Sequence, residues 1–183
     1  MAGMNLLVRA VRGDEWQDVR ELRLAALQDP VAHLAFLETY EVASARPDSY
    51  WKERTEGAAE GARERQQFVA EGEDGRWVGT VTVLVEEAGT RDFFGGTVER
   101  RQTHLVGVFL RDGYRGRGVG EQLFAAALEW ARGVGVDRVR LFVHSGNGRA
   151  AAFYRRNGFV DSGVTVEGDT GLELELEYVL TAA

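Results

Sequence analysis

A glycine-rich stretch between a strand and a helix is the feature that most limits how this chain folds. Residues 103–110 (THLVGVFL) form a β-rich apolar run, and residues 113–120 (GYRGRGVG) carry four glycines. An amphipathic helical pattern then runs over about 119–132. Glycines let the backbone approach a ligand closely, and the first N–H groups of a helix attract an anion. The pattern therefore predicts a strand–loop–helix unit shaped to hold a phosphate group.

The rest of the chain predicts alternating strands and helices. Strands are expected over 5–12, in a hairpin over 66–87, over 103–110 and 137–145, and as a final pair over 159–168 and 171–180. Helices are expected over 14–28 with Asp14 as its cap, in an irregular stretch over 31–64 broken at Pro47, over 119–132 and over 148–157.

These elements indicate an α/β fold with one mixed, mostly antiparallel sheet of about seven strands flanked by helices. The hairpin and the final pair require antiparallel pairing, whereas the strand–helix–strand step from 104 to 144 favours a parallel pair with a right-handed crossover. With no linker or repeat in the 183 residues, a single domain over 1–183 is expected.

Composition excludes several classes of function. The chain has no cysteine, so disulfides and thiolate chemistry are excluded, and its three histidines show no metal-ligand spacing. A net charge of −7 argues against general nucleic-acid binding. No apolar run is long enough for a membrane span and no signal segment is recognisable, so a cytoplasmic protein is expected. The sequence leaves open whether the protein is a monomer or a homodimer.

Arginines are concentrated beside the glycine-rich loop, although the chain is acidic overall. Two interpretations fit this distribution: a solvated basic face, or a pocket for a phosphorylated ligand. The location of the arginines favours the pocket. They are Arg111, Arg115, Arg117, Arg149, Arg155 and Arg156.

Two other phosphate-binding patterns fit the sequence less well. A P-loop requires Lys and Ser/Thr after its last glycine, but Gly120 is followed by Glu and Gln. A dinucleotide fingerprint matches GNGRAA at Gly146, Gly148 and Ala151, with Glu167 about 20 residues on. Too little chain follows Ala151 to complete a dinucleotide-binding fold.

Two motifs together resemble one known family, the GCN5-related N-acetyltransferases. RGRGVG (115–120) resembles its R/Q-x-x-G-x-G/A signature, and NGRAAAFYRRNGF (147–159) resembles its second motif, roughly N-x-R-A-x-x-x-Y-x-K/R-x-G-F. One helix and one strand separate the motifs, as in the family. The match covers about 103–160, and the order of elements agrees over the whole chain. Asp112 stands where relatives often have proline, which alters the turn and not the loop.

The resemblance implies acetyl-coenzyme A as cosubstrate and no metal. Main-chain N–H groups of 115–120 would hold the diphosphate, and the pantetheine arm would run along 108–110, in a slot where this strand splays from 138–144. Asn147 would bond the arm, and Arg149, Arg155 or Arg156 would meet phosphates. The expected cofactor-binding residues are Val108, Phe109, Leu110, Arg115, Gly116, Arg117, Gly118, Val119, Gly120, Asn147, Arg149, Tyr154 and Arg156.

The resemblance also implies direct attack of an amine on the thioester. A backbone N–H near Leu110 would stabilise the oxyanion, and Tyr154 stands where the family has the acid that protonates the departing sulfur. His104 aligns with a glutamate of many relatives, and a histidine side chain titrates near neutral pH, as a general base requires. Glu99 and Glu87 are alternative bases.

The family's acceptor pocket corresponds here to residues 30–55 and 88–103. Aromatic and carboxylate side chains in these segments suit a cationic amine, or they belong to the core; they are Phe36, Tyr40, Trp51, Phe93, Phe94, Glu38, Glu41 and Glu99. The acceptor's identity and the use of longer acyl-CoAs stay open. The alternatives to an N-acetyltransferase are a non-catalytic acyl-CoA-binding protein on the same fold and a dinucleotide-binding oxidoreductase.

Overall fold

Seven strands form one sheet in the computed structural model, which describes residues 5–181. In chain order the elements are β1 (Leu7–Ala10), α1 (Trp16–Leu27), α2 (Ala32–Ala35), α3 (Tyr40–Ser44), α4 (Asp48–Glu56), β2 (Arg65–Glu71), β3 (Trp77–Glu86), β4 (Gln102–Leu110), α5 (Val119–Gly133), β5 (Arg138–His144), α6 (Gly148–Arg156), β6 (Val160–Gly168) and β7 (Gly171–Val179). No helix within the described range is long and apolar enough to cross a membrane.

The strands lie in the order β1-β2-β3-β4-β5-β7-β6. Among the described strands, β4 and β5 make the one parallel pair, joined through α5, and the other neighbours are antiparallel. The predicted mixed, mostly antiparallel sheet is therefore confirmed. The dinucleotide-binding alternative is wrong, because that fold is built on a largely parallel sheet.

Helices cover both faces of the sheet because each has one apolar side. In α5 the buried positions recur with the helical period and pack against β2 and β3; they are Val119, Leu123, Phe124, Ala127, Leu128 and Ala131. On the other face, α1 and α4 pack around Trp51 with Val69 and Trp77 of β2 and β3. The site described below lies on this second face.

The N-terminal third differs from the sequence prediction in two ways. The irregular stretch over 31–64 contains three short helices, the last of which begins directly after Pro47. The prediction that Asp14 caps α1 is wrong, because Glu15 holds the N-cap position without a side-chain cap bond. The carboxylate of Glu15 instead accepts hydrogen bonds of 2.8 and 2.7 Å from the guanidinium of Arg9.

A buried group of charges holds the β3–β4 loop on the sheet. Arg140, only 6% exposed, donates to both oxygens of Glu86 at 2.8 and 2.9 Å, to Glu175 at 2.9 Å and to Asp92 of the loop at 3.1 Å. Burial raises the pKa of Glu86, but contacts with His104 and Arg140 outweigh burial and lower that pKa to about 2. Glu86 is therefore ionised at any neutral pH.

We expect the substitution Arg140→Met to lower the free energy of unfolding by about 3–5 kcal/mol, because it leaves Glu86 and Asp92 buried without their guanidinium partner, while Glu175 keeps only Arg138. The matched control is Arg155→Met, since Arg155 and Asp161 form an exposed pair, which is worth about 0–1 kcal/mol. Urea unfolding at pH 7 measures both values. Equal, small losses in the two variants would contradict the structural role of Arg140.

Candidate active site

A slot opens where β4 and β5 separate. The two strands pair only at Thr103 with Val139 and at His104 with Arg140. Beyond these positions a cavity of about 380 Å³ lies between them and extends under α1, α4 and the β3–β4 loop. The predicted splaying of the central strands is confirmed. The facing edges of β4 and β5 beyond this point are unpaired, so an extended ligand can lie between them.

A bulge in β4 accompanies this separation. Thr82 pairs with Val106, but Thr80 pairs with Phe109, so β4 carries one extra residue between these positions. Gly107 lies there with φ +63°, in the left-handed region that glycine adopts without strain. Bulges bend and twist a strand, and this one lies where β4 turns away from β5.

Beyond the bulge, the backbone N–H of Leu110 faces the slot. The N–H of Arg111 donates to the carbonyl of Val78 in β3 at 2.8 Å. Alternate residues of an antiparallel ladder direct their N–H groups to opposite edges. The Leu110 N–H is therefore directed to the edge that β5 has left, which is where the sequence predicts an oxyanion donor.

The glycine-rich loop forms an open backbone surface at the start of α5. Gly116 and Gly118 have φ of +72° and +82°, and a Cβ added to either would meet no atom within 4 Å. Gly118 is the N-cap of α5, whose first N–H groups have no helical acceptor. An anion can therefore approach the main chain here without displacing a side chain.

Gly120 is a glycine for a different reason from the one expected. A Cβ at this position would lie 2.5 Å from Cζ of Phe153. The residue is buried, so its lack of a side chain lets α5 pack closely against α6. The neighbouring Val119 has a fully buried side chain, so only the backbone of Val119 could contact a ligand.

Three arginines of the predicted basic cluster contact carboxylates of the protein. Arg111 bonds Glu21 and the Trp77 carbonyl at 2.5 and 2.7 Å. Arg115 donates to Asp29 at the end of α1 at 2.6 Å. Arg155 forms an ion pair with Asp161 at 2.9 Å. The other three are exposed: Arg117, Arg149 and Arg156.

Two residues of the second motif reach the cavity. Tyr154 lines it with its ring stacked on Phe124, the centroids 5.7 Å apart. Burial raises the pKa of Tyr154 to about 12, so its hydroxyl keeps its proton at physiological pH. Asn147 also lines the cavity, and its side-chain oxygen accepts from the Ala150 N–H at 3.4 Å, which caps α6.

Of the three predicted bases, His104 lies at the cavity and the two glutamates do not line it. His104 is 2% exposed, and its Nδ1 is 3.6 Å from Oε2 of Glu86. Phe93 and Phe142 flank its ring at centroid distances of 5.4 and 5.6 Å. Glu87 is exposed and pairs with Arg101, and Glu99 is exposed.

The acceptor side of the cavity only partly matches expectation. Phe36, Glu38, Phe93 and Phe94 line it. Trp51 is fully buried in the core between α1, α4 and the sheet, which agrees with the core alternative for this residue. Tyr40, Glu41 and Glu99 lie outside the lining.

Several lining residues were missed by the sequence analysis because no motif marks them. They are Arg23, Arg54, Arg65, His144, Asp169 and Glu173. They come from six separate elements and loops, and only the tertiary fold brings them together. Within residues 5–181, no group of three or more His, Asp or Glu side chains could hold a metal ion.

Known proteins resemble this chain in sequence over short segments and in structure over nearly its whole length. An L-methionine sulfoximine/L-methionine sulfone acetyltransferase of Pseudomonas aeruginosa is 40% identical over 70 residues, which is 38% of this chain and 37% of that protein. A mycothiol acetyltransferase of Beutenbergia cavernae is 49% identical over 47 residues, 26% of this chain and 16% of that protein. The matched segments thus span well under two thirds of either relative.

Among solved structures, the paia N-acetyltransferase of Thermoplasma acidophilum in complex with coenzyme A superposes with a TM-score of 0.71. It is 16% identical and covers 96% of this chain and 99% of its own, so the likeness concerns the fold. A family profile described as the Acetyltransferase (GNAT) family matches residues 16–159. This match takes in the strand–loop–helix unit and the second motif, and it covers most of the 183 residues. The chain therefore belongs to the GNAT acetyltransferase family.

Proposed function

We propose that this protein transfers the acetyl group of acetyl-CoA directly to an amine. The observation that carries the proposal is the slot between β4 and β5, with the Leu110 N–H directed into it. The open backbone of Gly116 and Gly118 lies on the loop that follows β4, and it fits a diphosphate. Family membership and the fold agree with this assignment.

Each part of the cosubstrate has protein groups suited to hold it. The backbone groups of Val108 and Leu110 would bond the pantetheine amides along the open edge of β4, whereas those of Phe109 face Thr80 of β3. Asn147 would reach the arm from the other side. N–H groups over 115–120 would hold the diphosphate at the start of α5. The exposed cations nearest this loop in the two motifs would meet the remaining phosphate charge; they are Arg117, Arg149 and Arg156.

Two groups act on the thioester. The Leu110 N–H stabilises the negative charge that develops on the thioester oxygen, because a fixed donor in a water-poor slot is stronger than one in water. Tyr154 donates to the departing sulfur. Its pKa of about 12 lies far above physiological pH, so the hydroxyl keeps its proton and is available as a donor. Because that pKa also exceeds the ~8.5 of a free thiol, the hydroxyl stabilises the thiolate by a hydrogen bond, and the thiolate leaves without taking the tyrosine's proton.

His104 accepts the proton of the attacking amine. Glu86 lies 3.6 Å from Nδ1, beyond hydrogen-bond distance, and Arg140 holds it ionised, so its negative charge alone favours an imidazole with the proton on Nδ1. Nε2 is then the nitrogen that can take a proton, directly or through one water. Because the chain has no cysteine, no acetyl-cysteine intermediate is available.

Ligand binding and turnover test the proposal together. We expect acetyl-CoA and CoA to raise the melting temperature while NAD does not, because only the former match the slot and the loop. An amine panel followed by release of free thiol should then reveal turnover, and L-methionine sulfone belongs in it because of the relatives' named activity. CoA binding without turnover on any amine would support a non-catalytic CoA-binding protein instead.

The substitution Tyr154→Phe should lower kcat by about 10²-fold with little change in the Kd for CoA, because it removes only the hydroxyl that meets the sulfur. Steady-state kinetics and calorimetric CoA titration measure the two quantities. Tyr178→Phe is the matched control, since Tyr178 is a partly buried tyrosine that packs on Phe159 in the core. A parallel fall in rate and CoA affinity would assign Tyr154 a packing role only.

The substitution His104→Asn should lower kcat/KM by about 10²-fold at pH 7, because the amide can still face Glu86 but lacks Nε2. We expect the deficit to shrink as the pH rises toward 10, where the amine substrate loses its own proton in solution. A pH profile of both proteins measures this. An equal deficit in kcat/KM at all pH values, or a larger loss of kcat/KM in Glu99→Gln than in His104→Asn, would show that His104 is not the base.

A further inference from the structure

Guanidinium groups outnumber carboxylates on the part of the cavity wall formed by α1, α4, β2 and the segment before α3, where Arg23, Arg54 and Arg65 lie with Glu38. Arg23 donates to Oε2 of Glu38 at 3.1 Å, and Arg46 donates to Oε1 at 2.8 Å, so both oxygens of Glu38 are already engaged. Arg54 donates to the neutral hydroxyl of Tyr50 at 3.1 Å. The wall therefore carries more positive than negative charge.

This excess charge is unfavourable without a ligand. Burial and, after it, the nearby charge of Arg54 lower the pKa of Arg23, as expected where two like charges lie close together and one of them is buried. Within residues 5–181, no carboxylate lies within the 4.0 Å of an ion pair from Arg54 or Arg65. An anionic group bound between these side chains would relieve the repulsion.

The register of the sheet places this positive wall close to the proposed base. Arg65 pairs with Leu84, and Leu84 pairs with His104, so the three residues form one row on one face. Two strand spacings separate Arg65 from His104, about 10 Å between their backbones. Long arginine side chains can span most of that distance, which leaves room for a small molecule.

The other end of the cavity has the opposite charge. Asp169 and Glu173 line it on the β7 side, and Glu173 faces His144 across the β5–β7 pair. His104 lies on β4, between the acidic side and the arginines of α1, α4 and β2. The cavity therefore has a cationic end suited to a carboxylate and an acidic end suited to an ammonium group.

We propose that the acceptor is a free amino acid, with its carboxylate bound by Arg54 and Arg65 and its amine at His104. This proposal rests on the proposed acetyltransferase activity and names its substrate class. Phe36, Leu37 and Phe93 line the cavity and provide apolar surface for the amino acid's side chain. A polyamine or a lysine side chain lacks the anion, and the arginines repel it.

The test compares L-amino acids with their decarboxylated amines, in turnover assays and in calorimetric binding to the protein saturated with CoA. We expect kcat/KM for at least one amino acid to exceed that for its amine by tenfold or more. The double substitution Arg54→Gln/Arg65→Gln should lower this ratio at least tenfold. Arg63→Gln should leave the ratio unchanged, because Arg63 is exposed and outside the cavity lining.

The outcomes separate the substrate class from the activity itself. If decarboxylated amines are acetylated as well as amino acids, and the double variant keeps the same ratio, the carboxylate site is wrong while the acetyltransferase stands. If amino acids bind in an Arg54-dependent way but no amine turns over, the site is supported and the proposed activity fails. If no amino acid binds the CoA complex, the carboxylate site is overturned directly.

Discussion

The parting of β4 and β5 is the constraint on which the rest of the structure depends. A parallel pair in the middle of a sheet normally continues along both strands, and here it ends after His104 and Arg140. The extra residue at Gly107 turns β4 away, so backbone groups that would bond β5 instead face an open slot. The cost of leaving those groups unpaired within a sheet explains why an extended ligand with amide groups should fill the slot.

The charged residues near the end of that pairing serve structure and function together. Arg140 joins β3, β5, β7 and the β3–β4 loop through three carboxylates, and the same Glu86 that it binds lies beside Nδ1 of His104. The loop in turn places Phe93 against the His104 ring. The network that holds the β3–β4 loop on the sheet therefore also places a carboxylate and an aromatic ring beside His104.

How much of this could be predicted depended on the distance in sequence between interacting residues. The strand–loop–helix unit is local, so glycine spacing and the apolar period were sufficient to predict it, and the second motif contains Tyr154 and Asn147, which the structure places at the cavity. The Arg140–Glu86 bond joins residues 54 positions apart, and nothing in either local sequence marks it. Arg54 and Arg65 likewise carry no local motif that marks them as cavity residues. For Trp51 the sequence left both the core and the pocket open, because a core tryptophan and a pocket tryptophan have the same local pattern, and the structure places it in the core. Asp14 was misassigned because α1 begins one residue later than the pattern indicated, with Glu15 at the N-cap.

A crystal structure of the protein with coenzyme A tests the central claim most directly. The account predicts the pantetheine arm between β4 and β5, bonded to the backbone of 108–110, with the diphosphate oxygens within hydrogen-bond distance of N–H groups in 116–120. Coenzyme A bound at another surface, with the slot unfilled and the glycine-rich loop out of contact with the diphosphate, would contradict it.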